Sequence, residues 1–117
     1  MTYVDGFVAA APTATRESYQ QHVKAMGALF KECGALRVVD CWGEDVPDGK
    51  LTSFPMAVKK NADETVVFGW IEWPSRAARD AGFKKAMEDP RITSAAAPFD
   101  GKRMIFGGFD VIADTQV

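Results

Sequence analysis

The sequence predicts one α+β domain of βαββαβ order, with four strands in a single antiparallel sheet. Three observations predict it: two helical repeats of apolar residues, four short β-rich runs, and turn-forming residues between them. With 117 residues and a mass of 12.8 kDa, the chain has the length for one core, spanning residues 1–117. Hydrophobic residues make up 47% and charged residues 26%, a balance that favours folding over disorder.

Thr2 to Ala10 alternates large and small side chains and closes at Pro12, as a strand does where its ladder stops. Thr15 then stands as an N-cap, with Glu17 in the first turn. Tyr19, Val23, Met26, Phe30 and Cys33 recur at spacings of four and three, which puts them on one helix face, and Gly34 supplies the C-terminal stop. Ala35 to Gly43 reads as the second strand. A long connection follows from Glu44 to Asp63, in which Ser53-Phe54-Pro55 argues against a regular helix. A short strand is expected near Met56 to Lys60, turning at Asn61-Ala62-Asp63. Glu64 to Trp73 is rich in β-branched and aromatic residues and ends at Pro74, marking the third strand. Ser75 caps a second helix whose inner row is Ala78, Gly82 and Ala86. Asp89-Pro90 stops that helix and can open a further helical turn through Ala95, and Arg103 to Ala113 supplies the fourth strand.

Splitting the strands by alternation gives two faces. One set, Val4, Gly6, Val8, Val67, Gly69, Ile71, Ile105, Gly107, Phe109 and Val111, is expected beneath the helices. The other, with Tyr3, Phe7, Val66, Phe68, Trp70, Met104 and Phe106 and with Asp5, Glu72 and Asp110 towards its ends, is expected to face away. Two helices cover one face only, so the aromatic set needs another cover. A two-fold related second copy is the expected cover, with the long connection as the alternative.

Composition narrows the function classes. A net charge of −2 without a basic stripe disfavours nucleic acid. No apolar run reaches the length of a membrane span, and the first residues lack the pattern of a signal peptide, so no membrane partner and a cytoplasmic location are expected. Two cysteines, Cys33 and Cys41, are expected to be reduced, and with His22 the only histidine neither a metal nor another cofactor is expected.

The segments YVDGF, TSFP, AVK, DETVVFGWI, SRAARD, DPR and PFDGKRMIFGGF together resemble the YbaA-like family of small bacterial proteins of uncharacterised function. The resemblance spans nearly the whole chain. It implies a ferredoxin-like fold of the dimeric α/β-barrel superfamily, and hence a homodimer, but brings no assigned reaction. Ala78 is a departure, since family members often have histidine there. A shorter segment before Pro98 is another.

Three sets of residues carry candidate chemistry. His22, beside Tyr19 and Met26 on the first helix, is a candidate general base, or else a helix-edge side chain with one structural hydrogen bond. Asp5, Glu72 and Asp110 would raise one another's pKa if they converge, the alternative being exposed charges or pairs with Arg37 or Arg103. Trp42, Trp70 and Trp73, with Phe54 and Phe68, would line an apolar cavity or simply pack. The leading reading is a homodimer binding a small apolar or aromatic molecule between sheet and helices. Trp70, His22 and Asp5 are its expected ligand contacts, and cofactor-independent oxygenase or isomerase activity is its candidate chemistry. The competing reading is a non-catalytic interaction or stress-response protein whose aromatic residues serve only dimerisation.

Overall fold

The computed structural model describes residues 2–116. Strand β1 runs over Tyr3–Pro12, helix α1 over Arg16–Glu32, β2 over Arg37–Trp42 and a one-turn helix α2 over Phe54–Ala57. Strand β3 follows at Glu64–Trp73, then helix α3 at Arg76–Met87, a further helical turn α4 at Pro90–Thr93, and β4 at Ile105–Asp110. All pairings are antiparallel and the strand order is β2-β3-β1-β4, the order of a ferredoxin-like sheet. No helix among the described residues is long and apolar enough to cross a membrane.

Local chemistry accounts for the element ends. A 3-10 turn at Thr13–Thr15 leads into α1, and the Thr15 hydroxyl donates to the Pro12 carbonyl, at 2.7 Å, instead of capping a helix amide. At the other end Gly34 takes φ +110°, and the amides of Gly34 and Ala35 donate to the carbonyls of Lys31 and Phe30. That is a Schellman closure, whose left-handed residue glycine adopts without strain. Ser53 and Ser75 cap α2 and α3 by accepting from the amides of Met56 and Ala78.

The strand expected near Met56 to Lys60 is not there. The helix α2 occupies Phe54–Ala57 instead, because Pro55 falls in its first turn, where an amide would have no intrahelical partner anyway.

The faces also differ from expectation. The register sets Phe7 opposite Gly69 and Phe106, and Tyr3 opposite Trp73 and Asp110. Tyr3, Asp5, Phe7, Val67, Gly69, Ile71, Trp73 and Phe106 therefore share the helix-covered face. Val4, Gly6, Val8, Val66, Phe68, Trp70, Ile105 and Phe109 share the other. Within β3 the expected split holds, whereas β1 and β4 are out of phase with it by one residue. The reason is steric: the Phe7 ring lies over Gly69 and the Tyr3 ring over Gly108, in space that a Cβ would take.

Cover on the outer face is divided. The long connection lays Val46 and fully buried Val58 on Val8, Ala10 and Val66, and Phe54 packs edge-on to Phe68 at 6.1 Å. Arg103 holds this connection in place by donating to the Lys59 carbonyl and, through both Nη atoms, to the Glu64 carboxylate. Those bonds pull the Glu64 pKa down to about 2. Beyond this half, Phe68 remains 40% exposed, Ile105 45% and Phe109 61%.

Gly82 brings α3 onto the sheet. A Cβ there would lie 2.5 Å from both the Cys33 carbonyl oxygen and Cζ3 of Trp73, whose side chain is fully buried. Gly82→Ala should therefore destabilise the protein by about 1–3 kcal/mol in urea unfolding, despite the ~1 kcal/mol gain in helix propensity. A stabilised variant would contradict this packing.

Candidate functional site

Between α1 and the inner sheet face lies a cavity of about 460 Å³. Helix α1 lines it with Tyr19, His22, Val23, Met26 and Phe30, the row that the helical spacing brings to one side. Phe7, Val38 and Ile71 form the floor, and Phe83 of α3 with Phe99 closes the far side. Gly27 of α1 faces Val38 with no side chain of its own, which leaves room between helix and floor. The cavity is apolar except where Asp5, Tyr19, His22 and Asp40 meet it.

These polar groups differ in how they are held. Asp5 is engaged: its carboxylate accepts from Trp73 Nε1 at 2.9 Å and from Arg79 Nη1 at 3.1 Å. Arg79 also donates to the Tyr3 hydroxyl at 3.0 Å, with its guanidinium over the Tyr3 ring. Burial raises the Asp5 pKa, and neither Arg79 nor the Trp73 N–H fully offsets it. The set ties α3 to β1, so Asp5 is first a structural anchor.

Asp40 has no such support. It stands on the inner face between Val38 and Trp42, opposite Gly69, and burial alone pushes its pKa up to about 6. Tyr19, packed against Trp42 at 5.6 Å, is buried with no hydrogen-bond partner for its hydroxyl among the described residues. Burial, then the nearby Asp40 charge, drives its pKa upward, so Tyr19 stays a neutral donor.

The structure thus gathers His22 and Asp5 at one cavity and separates Trp70 from them. Trp70 borders the cavity, but its ring belongs to the outer face, where it packs on Phe68 and its N–H donates to Glu72 Oε2 at 2.9 Å. Strand alternation requires this, since Trp70 pairs with Gly6 and Val39. The three carboxylates do not converge either: Asp5 faces the helices, Glu72 lies on the outer face 3.9 Å from Arg37, and Asp110 is exposed on β4. Asp40 escaped the sequence reading. Its signal was an acidic residue in phase with Val38 and Trp42, inside an apolar row. A second, wider groove of about 1050 Å³ covers the outer face between Phe68, Trp70, Ile105 and Phe109. Among the described residues no three His, Cys, Asp or Glu side chains are grouped to hold a metal, and both cysteines are unpaired.

Fold and cavity define the class as a ferredoxin-like α+β protein with an apolar chamber between helix and sheet. The solved structure of Rv0793 from Mycobacterium tuberculosis shares this fold, with a TM-score of 0.53 at 12% identity, covering 99% of this chain and 100% of that one. The chain belongs to the family of proteins of unknown function DUF1428, which it matches over residues 2–101. It is 54% identical over 116 residues to the uncharacterized protein YbaA of Escherichia coli K12, covering 97% of this chain and 99% of that one, and equally similar to YbaA of Shigella flexneri. The resemblance read from the sequence is therefore correct.

Asp40 should leave a mark on stability. Its folded pKa of about 6 exceeds the ordinary 3.8, so its contribution is fully present below about pH 3.8 and is lost as pH rises through 6. Asp40→Asn escapes that loss. It should match the wild type at pH 4 and exceed it at pH 8 by about 1–2 kcal/mol, a figure reduced because solvent still reaches the carboxyl. Denaturant melts at both pH values check this, and equal stabilities at pH 8 would contradict it.

Proposed function

We propose that the protein is a homodimer that binds a small, largely apolar or aromatic molecule in the chamber between α1 and the sheet. The observation that carries this reading is the chamber itself: about 460 Å³ of apolar space bordered by a carboxyl, that of Asp40, with no charged or hydrogen-bonding partner among the described residues. Its size falls within the roughly 300–1,000 Å³ of small-molecule sites, which pair apolar walls with a few polar groups. His22 and Asp5, expected from the sequence, are proposed ligand contacts, and Asp40 joins them. Trp70, with its ring outward, is assigned to the dimer. Of the candidate chemistries, isomerisation needs only a proton-transfer group, whereas oxygenation would add molecular oxygen as co-substrate. A cytoplasmic location fits the two unpaired cysteines.

The second copy is proposed on the outer face, over Phe68, Trp70, Ile105 and Phe109. Half of that face is sealed by the long connection. The remainder is a row of aromatic and aliphatic side chains that a two-fold axis would bury against itself. The non-catalytic reading accounts for these outer aromatics, but gives no reason for an apolar chamber on the other face with an unpaired carboxyl.

Thermal melts test the ligand. 2-Naphthol should raise the midpoint by roughly 5 °C at roughly tenfold excess over its Kd, and His22→Ala should shrink that shift. If a broad panel of aromatic compounds leaves the wild-type midpoint unmoved, the ligand reading fails. Sedimentation at micromolar concentration tests the assembly: a dimer for the wild type and a folded monomer for Phe109→Asp are expected, and a wild-type monomer would rule it out.

A further inference from the structure

We propose that Asp40 is the proton-transfer group of the chamber, and that its substrate is a ring-sized, largely apolar compound bearing one enolisable carbonyl. This rests on the cavity reading above and adds the reacting residue and the substrate class.

Position comes first. Asp40 lies mid-strand in β2 with its side chain on the chamber side, and a Cβ built at Gly69 would stand 2.9 Å from its Oδ1. Gly69 thus gives the carboxyl its room. No cation or hydrogen-bond donor among the described residues stabilises its charge, which makes the carboxylate a stronger base than a solvated one. A carboxyl left this way costs stability, so packing alone gives no reason for it.

Among the described residues the titratable groups around the chamber set Asp40 apart, with His22 the alternative base that an unchanged Asp40→Asn rate would favour. From β1, Asp5 faces the chamber but is held by Trp73 and Arg79. From α1, Tyr19 and His22 face it; β3 offers Ile71 and the edge of Trp70, α3 offers Phe83 and Met87, and none of these four can titrate. Tyr19 keeps its proton, and its hydroxyl has no partner among the described residues, so it is a donor without an acceptor. A base and an idle neutral donor lie near enough for one to feel the other's charge, the pairing that forming an enolate needs.

The step balances without any added reagent. The Asp40 carboxylate takes a proton from the carbon beside the carbonyl. That C–H bond breaks, an O–H bond forms on Asp40, and the electron pair moves through a new C=C bond to the carbonyl oxygen. Returning the proton to the same carbon exchanges it with solvent, and returning it to a conjugated carbon moves the double bond. Nothing is oxidised or reduced.

The test uses 2-tetralone, a two-ring enolisable ketone, in deuterated buffer, with α-proton exchange followed by NMR and binding by saturation transfer. Wild-type protein should bind it and accelerate exchange, with a rate that rises with pH through about 6. Asp40→Asn should still bind but lose roughly a hundredfold of the acceleration. Asp40→Glu should recover part of it, and Cys41→Ser, on the outer face of the same strand, should match the wild type. Binding without accelerated exchange, or exchange unchanged in Asp40→Asn, overturns the role of Asp40 and leaves the chamber as a binding site. Failure of the wild type to bind 2-tetralone overturns the substrate class; if 2-naphthol also fails to shift the melt, the cavity reading falls with it. Should Asp40→Asn not fold, a wild-type rate that is flat between about pH 4.5 and 7.5 is itself contradictory.

Discussion

Aromatic rings lying over strand glycines set the register, and the register decides everything on both faces of the sheet. Phe7 over Gly69 and Tyr3 over Gly108 fit β1 between its two neighbours, and a slip by one residue would set Phe7 against Phe68 or Trp70. A one-residue slip would also turn every side chain of β1 to the opposite face. Asp5 would leave Trp73 and Arg79, the tie between α3 and the sheet would go, and Phe7 would vacate the chamber floor. The same glycine that receives the Phe7 ring leaves room for the Asp40 carboxyl, so register and candidate chemistry share one residue.

Two inner-face carboxyls show how context separates support from chemistry. Asp5 has a guanidinium and an indole N–H to compensate its burial, and it holds two elements together. Asp40 has neither, and its burial is uncompensated. Ionising it at neutral pH works against the fold, an arrangement expected where a reactive group is kept at the expense of stability. The outer face follows a different logic, with apolar side chains partly covered by the long connection and partly exposed.

Much of this was legible in the sequence. Tyr19 to Cys33 marked α1 and Gly34 its stop; Ser75 and Gly82 marked the cap and inner row of α3; Glu64 to Trp73 matched β3 residue for residue. The phase between strands was not, because alternation within a strand fixes only its own two faces. Which face meets the helices depends on rings and glycines distant in sequence, Phe7 with Gly69 above all. The helix α2 was hidden by reading Pro55 as a breaker without counting its position from Ser53. Of the site, His22 and Asp5 were legible as polar residues beside apolar rows. Asp40 was not, since a lone acid in a short strand looks like an exposed edge until Tyr19 and Phe7 close over that face.

Carbon-13 NMR of the carboxyl groups, with Asp40 assigned by comparison with Asp40→Asn, measures the claim at its centre. The Asp40 resonance should titrate near 6 in the free protein and shift when 2-naphthol occupies the chamber. An Asp40 resonance titrating near 4 and indifferent to the ligand would contradict it.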